Sequence, residues 1–187
     1  MGHVSYSELI EATPEQVWAV ISDATRLPEW AYKDGRFPYP VEGKYGSDQT
    51  EGVGTIWIGV SGDGQEATQK LTAWEPPKTL SYELQEMENA ALQMAQSNTF
   101  DLEPVDNGTK VTWSVDWELT GGFSFGSLLV RFTGNGAFEE MIAGSLENLK
   151  ALLESAPAEQ LDTPAPAEEE AEVAADAPAT DDTESEA

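Results

Sequence analysis

Residues 136–155 constrain the fold more than any other stretch. Phe138, Met141, Ile142, Ser145, Leu146, Leu149, Leu152 and Leu153 recur at three- and four-residue steps, with Glu139, Glu140, Glu147, Asn148, Lys150 and Glu154 between them. That spacing is an amphipathic helix with one buried stripe. It is a rod that needs a surface to lie on. Gly144 stands inside it, where glycine costs roughly 1 kcal/mol against alanine unless close backbone packing recovers the loss.

Nearly everything before this helix reads as strands with one apolar face. Residues 4–11 form a first strand, with Tyr6, Glu8 and Ile10 on one side. Thr13 then caps a short helix, with Pro14 at its first position and Gln16 three residues beyond the cap. Asp23 or Thr25 caps a second short helix over 26–30, with Pro28 in its first turn. Residues 33–54 are rich in glycine, proline and charge, and hold one strand around 41–45 beside a long loop. Five clearer strands follow, over 55–60, 66–74, 79–87, 96–103 and 110–119. Asp106-Asn107-Gly108 is a hairpin turn between the last two. On the last strand Val111, Trp113, Val115, Trp117 and Leu119 face one way, and Thr112, Ser114, Asp116 and Glu118 the other. Residues 126–132 are a candidate first part of the terminal helix, which Gly134-Asn135-Gly136 is expected to interrupt or kink.

A half-wet antiparallel sheet needs a cover on its apolar face, and the terminal helix is that cover. The expectation is an α+β helix-grip fold: a curved antiparallel sheet wrapped around a long C-terminal helix, with two short helices after the first strand. The folded domain spans 1–154. Residues 155–187 carry almost no large apolar side chains, so they cannot offset the entropy of ordering and read as a disordered acidic tail.

Charge and residue types then exclude several function classes. The chain has 35 acidic and nine basic residues, a net charge of −26. Eleven of the acids lie in 155–187 without one base, which leaves 24 acids against nine bases before the tail. That excess argues against nucleic acid and against anionic membranes as partners. No apolar run approaches the ~20 residues of a membrane span, and no basic leader precedes an apolar run, so a cytoplasmic protein without stable membrane insertion is expected. The absence of cysteine rules out disulfides and thiolate chemistry. His3 is the one histidine, which leaves no histidine metal cluster or serine–histidine triad. No cofactor is called for. An acidic, lysine-poor surface fits a high-salt cytoplasm, and it equally fits an ordinary acidic protein.

Several phrases along the chain resemble those of one superfamily. Ile10-Glu11-Ala12-Thr13-Pro14-Glu15-Gln16-Val17-Trp18 resembles the I-x-A-x-P-E-x-V-W opening of the START-like superfamily, also called the SRPBCC or polyketide cyclase/dehydrase and lipid transport group. Asp23 with Leu27-Pro28-Glu29-Trp30 resembles its D…L-P-x-W continuation. Glu75-Pro76-Pro77-Lys78-Thr79-Leu80-Ser81-Tyr82 is similar to its E-P-P-x-x-L-x-Y bend. Asn107-Gly108-Thr109-Lys110-Val111-Thr112 is similar to its G-G-T-x-V-T hairpin, and Ser145-Leu146-Glu147-Asn148-Leu149-Lys150 to the S-L-x-x-L-K of its closing helix. These are structural phrases and none is catalytic. The segments 33–54 and 123–136 and the acidic tail depart from the pattern.

The resemblance implies a cavity between the concave sheet face and the long helix. Trp57, Gln69, Tyr82, Phe100, Trp113 and Trp117 from the strands, and Phe138, Met141 and Ile142 from the helix, are its candidate lining. Plain core filling serves for any one of them, but two tryptophans two positions apart on one strand face are bulky for packing alone. Their indole N–H groups also need partners when buried. The expected function is binding of a small hydrophobic or amphipathic ligand, a lipid, a polyketide-like or an aromatic molecule, without catalysis. Two alternatives stay open. One is a cyclase or dehydratase, for which Arg131 and Tyr82 are the available pocket groups. The other is a protein-interaction or maturation-assisting module, favoured if tryptophans collapse the cavity. Glu83, Asp101, Asp116 and Glu118 fall on the outward parity and read as a solvated face, whereas Glu8 shares the inward parity of Tyr6 and Ile10.

Self-repulsion among the surface carboxylates is screened by salt. Stability is therefore expected to rise with molar potassium chloride beyond the gain of a neutral control protein. Truncation after Glu154 should leave the thermal midpoint in high salt nearly unchanged. A calorimetric drop of many degrees on truncation would make the tail part of the fold.

Overall fold

In a computed structural model the described residues are 1–35, 37–87, 94–120 and 125–155, with backbone alone over 125–132. The elements run β1 (Gly2–Ile10), α1 (Pro14–Ile21), a 3-10 turn (Ala24–Arg26), α2 (Leu27–Trp30), β2 (Pro40–Tyr45), β3 (Ile56–Ser61), β4 (Glu66–Glu75), β5 (Thr79–Met87), β6 (Met94–Val105), β7 (Gly108–Leu119) and α3 (Phe125–Ser155). The seven strands form one antiparallel sheet in the order β1-β7-β6-β5-β4-β3-β2. The chain is thus the α+β helix-grip arrangement that its patterning predicts.

Period-two alternation sets the faces of the sheet. Val111, Trp113, Val115 and Trp117 of β7 are buried, as are Phe100 and Leu102 of β6 and Leu80 and Tyr82 of β5. The opposite face is polar, with hydroxyl pairs in register across neighbouring strands. Ser5 meets Ser114 at 3.0 Å, Ser7 meets Thr112 at 2.8 Å and Ser81 meets Thr99 at 3.0 Å. Glu83, Asp101, Asp116 and Glu118 are exposed there. Register shifts between Thr68 and Gln69 and between Leu71 and Ala73 mark irregularities in the β4–β5 pairing. Bulges of this kind bend a strand and increase its twist, and a bent sheet has a concave side.

Local chemistry fixes the crossover from β1 to β2. Thr13 and Gln16 form the capping box at the start of α1. The Asp23 carboxylate caps the 3-10 turn by accepting from the Thr25 N–H at 2.9 Å, and also accepts from the Tyr45 hydroxyl at 3.1 Å. One side chain thereby ties the helical crossover to the edge strand β2. Burial and that neighbouring carboxylate push the Tyr45 phenol up to about 12.

The helix α3 packs across the concave face. Phe138, Ile142, Leu146, Leu149 and Leu153 are buried at four- and three-residue steps, each worth roughly 1.5–3 kcal/mol against exposure. Polar bonds pin its C-terminal half to β1 and to Glu11 just beyond it. Lys150 Nζ donates to Glu8 Oε1 at 2.7 Å, and the Glu11 N–H donates to Glu154 Oε1 at 3.1 Å. Glu8 therefore points toward the helix, as its parity predicts, and reaches a lysine there.

Gly134-Asn135-Gly136 does not interrupt α3, which is one helix from Phe125 to Ser155. Tertiary contact overrides the weak local propensity. A Cβ at Gly134 would come within 2.5 Å of the Trp117 ring, and Asn135 Oδ1 accepts from Trp117 Nε1 at 3.1 Å. The stretch that looks like a breaker is the seat of a tryptophan. Residues 156–187, expected to be disordered, lie outside the described residues.

Two glycines of α3 test this packing in opposite directions. A Cβ at Gly144 would overlap the Tyr32 ring, whereas one at Gly136 meets nothing within 4 Å. In urea denaturation, Gly136→Ala should stabilise by up to about 1 kcal/mol through helix propensity. Gly144→Ala should destabilise by about 1–3 kcal/mol, because overpacking outweighs the same gain.

Candidate functional site

A cavity of about 180 Å³ opens between the concave face and α3. Its floor comes from Gln69 on β4, Tyr82 and Leu84 on β5, Gln96 and Asn98 on β6, and Trp113 on β7. Phe138, Met141 and Ser145 of α3 form the roof, and Leu27 and Trp30 of α2 close one side. The irregular stretch before β2 supplies Ala31, Tyr32, Phe37 and Tyr39. That stretch is anchored at its base: the Tyr32 N–H donates to Ser145 Oγ at 3.0 Å and Asn148 Nδ2 donates to the Ala31 carbonyl at 3.3 Å. Farther along, the Phe37 ring lies against Phe138 with centroids 4.7 Å apart.

The nine sequence candidates divide by position. Gln69, Tyr82, Trp113, Phe138 and Met141 are on the cavity wall. Trp57, Phe100, Trp117 and Ile142 are not; they are buried in the layer behind it. Phe100 stacks on Trp113 at 4.6 Å, Trp117 stacks on Phe138 at 5.6 Å, and Trp57 leans on Tyr82 at 5.6 Å. Parity alone does not separate the wall from its backing, because both lie on the same strand face. Depth along the strand separates them, and it depends on where the helix crosses.

Polar groups of the wall fall into two sets. Asn98, 1% exposed, accepts from Trp113 Nε1 at 3.1 Å and from Gln96 Nε2 at 3.2 Å. Other groups are unsatisfied among the described residues. Gln69 Oε1 and Trp30 Nε1, both on the wall, are buried without a hydrogen bond, and so is Trp57 Nε1 behind it. The Tyr82 hydroxyl likewise makes no hydrogen bond among the described residues, and burial pushes its phenol well above the ordinary range. Glu66, the one carboxylate on the described wall, is held by Lys44 Nζ at 2.6 Å.

Asn98, Gln96, Trp30 and the 31–39 wall are absent from the sequence-derived set. Asn98 and Gln96 share the parity of Phe100 and Leu102, so the signal for them exists. The 31–39 stretch has no periodicity and gives none. His3 is exposed, its ring Nδ1 2.9 Å from Asp116. The Arg131 side chain lies outside the described residues. Among those residues no group of three or more histidine, aspartate or glutamate side chains is placed to hold a metal, and no helix is long and apolar enough to cross a membrane.

A family model described as polyketide cyclase/dehydrase and lipid transport matches residues 1–154. Solved structures share the fold at low sequence identity. A Mesorhizobium loti protein is 20% identical with a TM-score of 0.62, covering 83% of this chain and 99% of its own. A Thermus thermophilus protein is 19% identical with a TM-score of 0.61, covering 81% and 97%. The XoxI protein of Bacillus cereus is 18% identical with a TM-score of 0.59, covering 83% and 97%. No curated protein matches the sequence.

The raised tyrosines give this architecture an alkaline limit. Free tyrosine ionises near pH 10, while Tyr45 keeps its proton to about 12 and Tyr82 is also raised. Below pH 10 both states are protonated and the full stability is present. Above it the unfolded chain binds fewer protons, so stability falls as pH rises through the folded values. Urea midpoints should decline from pH 10 to 12, and less steeply in Tyr45→Phe.

Proposed function

The chain belongs to the polyketide cyclase/dehydrase and lipid transport family, and from that premise we propose that it is a binding or carrier protein whose cavity holds a small apolar or amphipathic molecule. The observation that carries this reading is the cavity itself, open among aromatic side chains at a place where the tryptophans could have filled it. Its volume of about 180 Å³ compares with an engineered cavity of ~150 Å³ that takes up benzene. A ligand with one substituted ring, or a short chain, suits that space.

The character of the wall supports binding over turnover. Its titratable side chains among the described residues are Tyr32, Tyr39, Tyr82 and Glu66. Tyr82 keeps its proton far above neutral pH and Glu66 is already paired with Lys44. Such groups hold and orient a molecule. An open cavity also weighs against the interaction-module alternative, in which the aromatic side chains would meet across it.

Extraction tests the proposal. Protein purified in high salt is denatured and its solvent extract identified by mass spectrometry, beside a Met141→Trp variant whose indole occupies the cavity. The expected result is one apolar or amphipathic molecule near stoichiometry in the parent protein and strongly depleted in the variant. Equal amounts in both would place that molecule elsewhere and sink the cavity reading. Near-native circular dichroism of the variant separates blockage from unfolding.

A further inference from the structure

The unsatisfied polar atoms of the wall narrow the ligand class. Gln69 Oε1, an acceptor, and Trp30 Nε1, a donor, are buried on the wall without partners among the described residues. The Tyr82 hydroxyl adds a group that both donates and accepts. The sheet register brings Gln69 and Tyr82 together, and a ring contact places Trp30 on the same wall. Gln69 pairs with Leu84 and Leu71 with Tyr82, so Gln69 and Tyr82 are diagonal neighbours on one face. Tyr82 in turn pairs with Asn98, which holds Trp113, and Trp30 lies edge-on to Trp113 at 5.8 Å.

Building on the binding reading above, we infer that the ligand is an uncharged apolar molecule carrying a hydroxyl group, seated against Gln69, Trp30 and Tyr82. A hydroxyl donates to one partner while accepting from another, which suits a patch offering both. A carboxylate or phosphate only accepts, so it can meet the Gln69 amide only through the NH2 group and leaves Oε1 unpaired. It would also enter a wall without a basic side chain among the described residues, in a chain of net charge −26. An ammonium only donates and would leave the Trp30 N–H unpaired. Asn98 does not compete for this role, because its oxygen already accepts from Trp113 and Gln96.

Isothermal titration with three probes of one frame tests the inference: propylbenzene, para-propylphenol and para-propylbenzoate, at neutral pH, in low salt and in molar potassium chloride. The phenol is expected to bind about tenfold or more tighter than either relative, the scale set by one buried polar group left unpaired. The preference over the benzoate should persist in molar salt, where long-range repulsion is screened and local pairing is not. Gln69→Leu, or Gln69→Met if the first variant folds poorly, should erase most of the phenol preference while propylbenzene binding survives. Equal binding of the three, a preference for the benzoate in molar salt, or a phenol preference untouched by the Gln69 variants overturns the inference and leaves the binding reading standing. Failure of all three to bind overturns both together.

Discussion

A helix with one apolar stripe has no stable place in water, and a sheet with one aromatic face has none either. Each solves the other's problem here. Phe138, Ile142, Leu146, Leu149 and Leu153 are withdrawn from solvent only because the concave face receives them. The Phe138–Trp117 stack shows how close the fit is, with ring planes 29° apart. Every other feature of the molecule depends on that mutual burial, including the order of the sheet. Pairing β1 with β7 brings the first strand alongside the last, where Glu8 and the Glu11 N–H can reach α3.

The cavity is a consequence of where α3 is fixed and where it is not. Near Gly134 and Asn135 the helix backbone is drawn close to Trp117. At its other end Lys150 binds Glu8 of β1 and Glu154 the Glu11 N–H just beyond it. Between these attachments Met141 and Ser145 border open space. The stretch before β2 closes the remaining side, and its base is held through Ser145 and Asn148. One helix thus defines both the solid core and the hollow beside it. Gly144 belongs to the same arrangement, since its missing side chain leaves room for Tyr32, itself part of the cavity wall.

The architecture was legible because its elements carry strong local signals. The alternation of β7, the capping box at Thr13 and the three-and-four spacing from Phe138 to Leu153 each state their element without help. The continuity of α3 through Gly134-Asn135-Gly136 was not legible, because a contact with Trp117 decides it and local propensity points the other way. The site was half legible for a related reason. Parity tells which side chains face the helix, and Gln69, Tyr82 and Trp113 follow from it. It does not tell that Trp57 and Phe100 are packed behind the wall, nor that an aperiodic stretch supplies Tyr32 and Phe37 to it. Such facts depend on three elements meeting, and no window of sequence contains all three.

Indole partners are within this fold's means. Trp113 reaches Asn98 and Trp117 reaches Asn135, both at 3.1 Å. Against those solutions, an unpaired Trp30 N–H and an unpaired Gln69 carbonyl on the same wall stand out, since each buried orphan costs about 1–3 kcal/mol. A leucine at position 69 would avoid that cost. Of the three orphaned atoms among the described residues, two belong to the cavity wall and the third, Trp57 Nε1, lies behind it. Stability forgone at such a wall is where consistency between levels of structure gives way to function. On the proposed binding reading, the polar atoms of this wall are half of a contact whose other half the ligand supplies.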